Sequence, residues 1–144
     1  MTFHYLSLEL VFVSAGLLKV PPFAGSMLRG AFGSSLKQMH CLSLRPCQKT
    51  CQKGSSCVYG RVFEKPLTAE HDVLGKVTFA PHPFALFPVT CGPRILEAGE
   101  ELVCRWTLWG DALENSAYMI LAWAQAARRG FGINQTPARL ERVR

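Results

Sequence analysis

Leu102-Val103-Cys104-Arg105-Trp106-Thr107-Leu108-Trp109 alternates apolar residues (Leu102, Cys104, Trp106, Leu108) with Arg105 and Thr107 at intervening positions. That period of two predicts a strand with one buried face. Gly110-Asp111 then opens a helical stretch running to about Arg128, with Leu113, Ala117, Ile120, Leu121 and Ala124 as the expected buried stripe. Gly130-Phe131-Gly132 stops this helix, and Ala138 to Arg144 supplies a last short strand.

The N-terminal part repeats the pattern. In Tyr5 to Val13, Leu6, Leu8, Leu10 and Phe12 share one face, with Ser7 and Glu9 on the other. Val20-Pro21-Pro22 ends the extended segment. Helical spacing follows at Met27, Leu28, Ala31, Phe32, Leu36 and Met39, with Ser26 as the expected N-cap and an end near His40. Lys76 to Val89 reads as extended, and Pro81 and Pro83 assign it to a sheet edge. The resulting order, β-α-β-β-α-β, predicts an α+β, ferredoxin-like domain with helices on one face of a four-stranded sheet and the other face open. Residues 1–144 show no internal repeat and no linker, so a single domain is expected.

The formal net charge is +6, and its placement is uneven. Residues 29–65 hold seven bases against Glu64 alone, residues 66–127 hold seven acids against three bases, and Arg128, Arg129, Arg139, Arg142 and Arg144 then face only Glu141. Two basic blocks around an acidic middle suit a polyanion; a merely solvated basic surface is the alternative. No apolar run approaches the roughly 20 residues of a membrane span. The start, Met1-Thr2-Phe3-His4, lacks a basic leader. A soluble, cytoplasmic protein is expected, with no membrane partner. The absence of a leader also argues against a disulfide scaffold built from the six cysteines.

Four of those cysteines form Cys41-x5-Cys47-x3-Cys51-x5-Cys57 within a polar insertion spanning 41–57. Four thiolates complete a tetrahedral zinc shell with no open position, so a structural rather than catalytic zinc is expected; unpaired thiols or redox disulfides are the alternative. Cys91 and Cys104 read as small buried residues. In Arg128-Arg129-Gly130-Phe131-Gly132, glycines permit close approach of a phosphate to the backbone and the arginines can pair with it, although helix ends use glycine for their own reasons.

The ordered series Gly25-Ser26-Met27-Leu28-Arg29-Gly30-Ala31-Phe32-Gly33, the cysteine-rich insertion leading into Cys57-Val58-Tyr59-Gly60-Arg61-Val62-Phe63-Glu64, Pro81-His82-Pro83-Phe84, Leu108-Trp109-Gly110-Asp111-Ala112 and Arg129-Gly130-Phe131-Gly132 resembles the CRISPR repeat-RNA processing endoribonucleases of the RAMP superfamily. The resemblance covers almost the whole chain and implies a ferredoxin-like fold, a role in antiviral defence, binding of CRISPR repeat RNA and metal-independent endonucleolytic processing of precursor CRISPR RNA. It implies that Arg29, Arg128, Arg129, Gly130, Gly132 and Arg139 contact RNA. It makes His40 the candidate general base, with Tyr59 assisting and Lys37, one turn earlier, neutralising charge; a zinc ligand or a surface residue is the other reading of His40. Family members carry two such domains in tandem. This chain is then a half-length member, a fragment, or a subunit that restores the pair through a homodimer or through other CRISPR effector subunits. A non-catalytic assembly subunit of a CRISPR ribonucleoprotein is the rival function. A zinc-dependent DNA reader fits less well, because neither helix presents a basic face.

Overall fold

The computed structural model describes residues 1–41, 51, 53, 56–65 and 80–144. In chain order the elements are β1 (Tyr5–Ser14), β2 (Leu18–Val20), α1 (Ala24–His40), α2 (Val58–Phe63), β3 (Phe84–Pro88), β4 (Arg94–Leu96), β5 (Glu101–Trp109), α3 (Gly110–Glu114), α4 (Ser116–Arg129) and β6 (Ala138–Val143). The main sheet has the order β3-β5-β1-β6. Every neighbouring pair in it is antiparallel. With α1 and α4 as the two long helices, this is the ferredoxin-like arrangement that the alternation predicted.

Register puts the apolar halves of the two central strands together. Leu8 lies opposite Trp106, Leu10 opposite Cys104 and Phe12 opposite Leu102. Leu10, Phe12, Leu102, Cys104, Trp106 and Leu108 are all fully buried. The helices cover this face through Leu28, Phe32 and Leu36 of α1 and Met119, Ala122 and Trp123 of α4. At the centre Phe32 stacks on Trp123, centroids 4.5 Å apart at 13°. The opposite face carries Ser7 hydrogen-bonded to Thr107 at 3.2 Å, the Glu9–Arg105 pairing position, and the exposed rings of Tyr5 and Phe87. The Pro-flanked β3 lies at the sheet edge, as expected; positions 76–79 of the predicted strand lie outside the described residues.

Three local expectations are corrected. The second helix is not continuous: Asn115 closes α3, donates from Nδ2 to the Asp111 carbonyl at 2.8 Å and restarts the chain as α4. An amide side chain competing for helix carbonyls interrupts the period. The buried stripe consequently runs through Ala112, Met119, Ala122, Trp123, Ala126 and Ala127, whereas Ala117 and Leu121 are exposed and Leu113, Ile120 and Ala124 only partly covered. Ser26 is not the N-cap of α1: Phe23 holds that position without a side-chain bond, and Ser26 lies inside the helix with its N–H on the Phe23 carbonyl at 3.3 Å. Cys104 is buried as expected, but Cys91 is exposed, its thiol donating to the Pro88 carbonyl at 3.5 Å. The small second sheet, β2 with β4, buries Leu18 against Leu96 and was not foreseen.

Candidate nucleic-acid interface

At the end of α4 the chain reverses tightly. Gly130 caps the helix at φ 109°, its N–H reaching the carbonyls of Ala126 and Ala127 at 3.0 and 3.1 Å. Phe131 and Thr136 exchange both backbone hydrogen bonds at 3.0 Å, which closes a loop over 131–136. The Phe131 ring is 1% exposed and meets Phe12 edge-on at 5.1 Å, while Thr136 Oγ1 donates to the Leu17 carbonyl at 2.7 Å. The loop is thus tied to the core at both feet and leaves Gly132, Ile133, Asn134 and Gln135 as its rim.

Arg128 and Arg129 stand exposed in the last turn before this loop. Arg129 Nη1 donates to Ser34 Oγ at 3.4 Å, and neither arginine has an ion pair among the described residues. The other arginines of the C-terminal block differ. Arg139 pairs with Glu141 at 2.6 Å, Arg142 with Glu101 at 2.7 Å and Arg144 with Glu9 at 2.6 Å. The basic strand read from sequence is therefore largely neutralised by its neighbours, and within this C-terminal block the arginines without an ion pair among the described residues are the two at the end of α4. Cations there also complement the helix dipole, which stabilises the helix whether or not a ligand binds.

Arg29 is engaged elsewhere. Its Nη2 donates to His82 Nδ1 at 2.8 Å, and His82 Nε2 lies 3.2 Å from the Phe63 carbonyl. A guanidinium only donates, so Nδ1 accepts and Nε2–H donates to Phe63: a neutral imidazole with a defined tautomer. The ring stacks on Phe84 at 13° and tilts against Phe63. His82 therefore clamps α1, the end of α2 and the entry to β3, a role that pattern reading had no means of finding.

A second cluster lies at the far end of α1. Lys37 Nζ sits 5.3 Å from the centroid of the Tyr59 ring, and Tyr59 Oη donates to Glu64 Oε1 at 3.0 Å. His40 packs edge-on against Tyr118 with centroids 5.7 Å apart, and the Lys53 ammonium donates to the His40 carbonyl. His40 Nε2 is buried without a hydrogen-bond partner among the described residues. The structure brings Lys37 and Tyr59 together and places His40 one turn along the same helix beside Tyr118, a ring absent from the sequence-based candidates. Burial, and secondarily the Lys53 charge, lowers the His40 pKa, so the imidazole is neutral near neutrality and able to take a proton.

Of the cysteine quartet, Cys41 follows the last turn of α1, Cys51 is exposed and Cys57 is buried as the N-cap residue of α2. Cys47 lies outside the described residues.

A family model described as AF_1859_N, N-terminal domain, matches residues 3–144. The chain belongs to this family. No curated protein matches it in sequence. Among solved structures, a chain titled "Cas6 (TTHB231) product complex" is similar, with a TM-score of 0.50 and 22% identity over 99% of this chain and 40% of that one. The AF_1859_N domain thus shares a Cas6-like fold and spans less than half the length of that neighbour. No helix among its described residues is long and apolar enough to cross a membrane.

The two packed histidines give this AF_1859_N domain an acid-sensitive element. His82, like His40, has its pKa lowered, by burial first and then by Arg29, with the Phe63 hydrogen bond opposing. As pH falls through the ordinary value of 6.5, the unfolded chain binds these protons before the folded one does. The histidine contribution is then present above that pH and lost below it. Thermal melts between about pH 7 and pH 5 should show a falling Tm whose slope flattens in the His40→Gln/His82→Gln double variant. An unchanged slope in that variant would contradict the assignment.

Proposed function

We propose that this chain is an RNA-binding domain of the CRISPR repeat-processing type, gripping the RNA backbone where α4 meets the 131–136 loop. The observation that carries the reading is the pair Arg128 and Arg129, free of acidic partners among the described residues beside a loop held by its own backbone, while the remaining C-terminal arginines are neutralised. The similarity to a Cas6 product complex supports the same reading. Precursor processing belongs to the proposal: the ribose 2′-hydroxyl attacks the adjacent phosphorus as the P–O5′ bond breaks, giving a 2′,3′-cyclic phosphate and a 5′-hydroxyl; His40 accepts the 2′-hydroxyl proton, the departing 5′-oxygen takes a proton from solvent, and Lys37, next to Tyr59, offsets phosphorane charge. No metal is needed for that step.

A structural zinc on Cys41, Cys47, Cys51 and Cys57 would hold the insertion closed. Its support is the placement of Cys41 just after the last turn of α1 and of Cys57 at the start of α2, adjoining the turns where Lys37 lies 5.3 Å from the centroid of the Tyr59 ring. Elemental analysis should return one zinc per chain.

Filter binding with labelled repeat RNA tests the function. The Arg128→Ala/Arg129→Ala variant should bind about tenfold more weakly, with a salt slope shallower by roughly one unit per lost contact. Absence of binding at low salt would reject the reading. Cleavage that resists chelator and disappears in His40→Ala would support catalysis. A second reading, a docking module for another CRISPR subunit or a second copy, is favoured by Phe3, Tyr5 and Phe87, exposed at 69%, 63% and 63%. It would be marked by salt-insensitive protein association without RNA affinity.

A further inference from the structure

Between α1, the end of α4, β2 and the 131–136 loop lies an open cavity of about 620 Å³, within the roughly 300–1,000 Å³ common for small-ligand sites. Its apolar wall is made by Val20, Pro21, Met27, Ala31 and Ile133. Two cations, Lys19 and Arg129, line it, and no acid does among the described residues. Ser34, Ser35 and Gln135 add hydroxyls and an amide. Ser35 is 0% exposed and its Oγ has no hydrogen-bond partner among the described residues, an unmet polar group in the lining. Ile133, at the rim, is 97% exposed, so an apolar side chain stands open to solvent at the mouth.

This combination selects for a ligand with a flat, largely apolar body, hydrogen-bonding edges and one negative charge. A hydrocarbon would leave Ser35 and both cations unused, and an inorganic anion would leave the apolar wall uncovered. We propose that the cavity takes one unpaired nucleotide: the base lies against Met27 and Ile133 with its edge toward the serines and Gln135, and its phosphate pairs with Lys19 and Arg129. The proposal rests on the RNA-binding reading and adds that the bound strand carries a base turned out of any stem at this point. Methionine sulfur suits an aromatic face, and a guanidinium suits a phosphate.

Gly30 makes the pocket testable without dismantling the fold. It lines the cavity from α1, and a Cβ built there meets nothing within 4 Å. Gly30→Leu fills the space from a helical position where leucine is favoured over glycine, so its melting temperature should stay level or rise. The full chain would be titrated with a single-stranded oligoribonucleotide carrying 2-aminopurine, and separately with AMP and UMP. The expected result is a fluorescence change with the wild type and about ten- to hundredfold weaker binding by Gly30→Leu, the range that one stacked base contributes. Undiminished binding by Gly30→Leu, with Arg128→Ala/Arg129→Ala still impaired, overturns the pocket and leaves the RNA reading standing. Failure of the wild type to bind any oligonucleotide or mononucleotide overturns both. Mononucleotide binding lost in Gly30→Leu, without oligonucleotide binding, makes this a free-nucleotide site and overturns its assignment to an RNA strand.

Discussion

Gly130→Ala is expected to destabilise the fold by about 3 kcal/mol, more than an exposed loop substitution ordinarily does. Two penalties coincide at this position. The backbone sits at φ 109°, where a side chain is strained, and a Cβ would stand 2.2 Å from the Gln135 carbonyl oxygen and 2.9 Å from its Cα. The obstacle is backbone, so no side-chain rotation relieves it. Moving Gln135 away would pull on the reciprocal Phe131–Thr136 hydrogen bonds and on the Thr136 bond to Leu17. Gly99→Ala separates the two penalties: Gly99 has φ 89° but nothing within 4 Å of its would-be Cβ. It should cost only about 1 kcal/mol, the conformational part alone. Urea unfolding of both variants checks the difference, and equal losses would contradict the steric argument.

Phe32→Ala should cost about 3–5 kcal/mol, the range for deleting a large buried aromatic ring. Phe32 is fully buried and is the hub through which the layers touch. It stacks on Trp123 of α4 and meets Trp106 of β5 at 5.6 Å, Phe84 of β3 at 5.7 Å and Phe63 of α2 at 5.6 Å. Removing it opens a void bordered by rigid rings that cannot collapse into the space, which places the loss toward the upper part of that range. Leu121→Ala is the matched control. Leu121 is 58% exposed, and its truncation should stay within about 0.5 kcal/mol, although pattern alone assigned it to the core.

That contrast shows where sequence reading succeeds. The alternation in β1 and β5 was decisive because both strands are long and one face of each is buried against the same helices; the period had room to repeat. In α4 the phase of the stripe failed, because it was counted through Asn115, where a side-chain amide takes a helix carbonyl and resets the rotation. β2 and β4 span three residues each, too short for any period to register. At the candidate site, Arg128, Arg129 and the glycines were legible from local order. The neutralisation of Arg139, Arg142 and Arg144 was not, since their partners Glu141, Glu101 and Glu9 come mostly from distant strands. The same holds for the Arg29–His82 contact and for Tyr118 beside His40, which join residues 53 and 78 positions apart.

The anchoring of Phe131 beneath the 131–136 loop bears on how fast a ligand is captured. Because that ring is part of the packed core and Phe131 and Thr136 hold each other by two backbone hydrogen bonds, the frame of the loop is set by folding, and only exposed rim side chains such as Ile133 have room to adjust to an arriving molecule. Under the RNA-binding proposal, capture would be paced mainly by diffusion and by the pull of the nearby cations, and affinity differences between ligands would be written mainly in how slowly they leave.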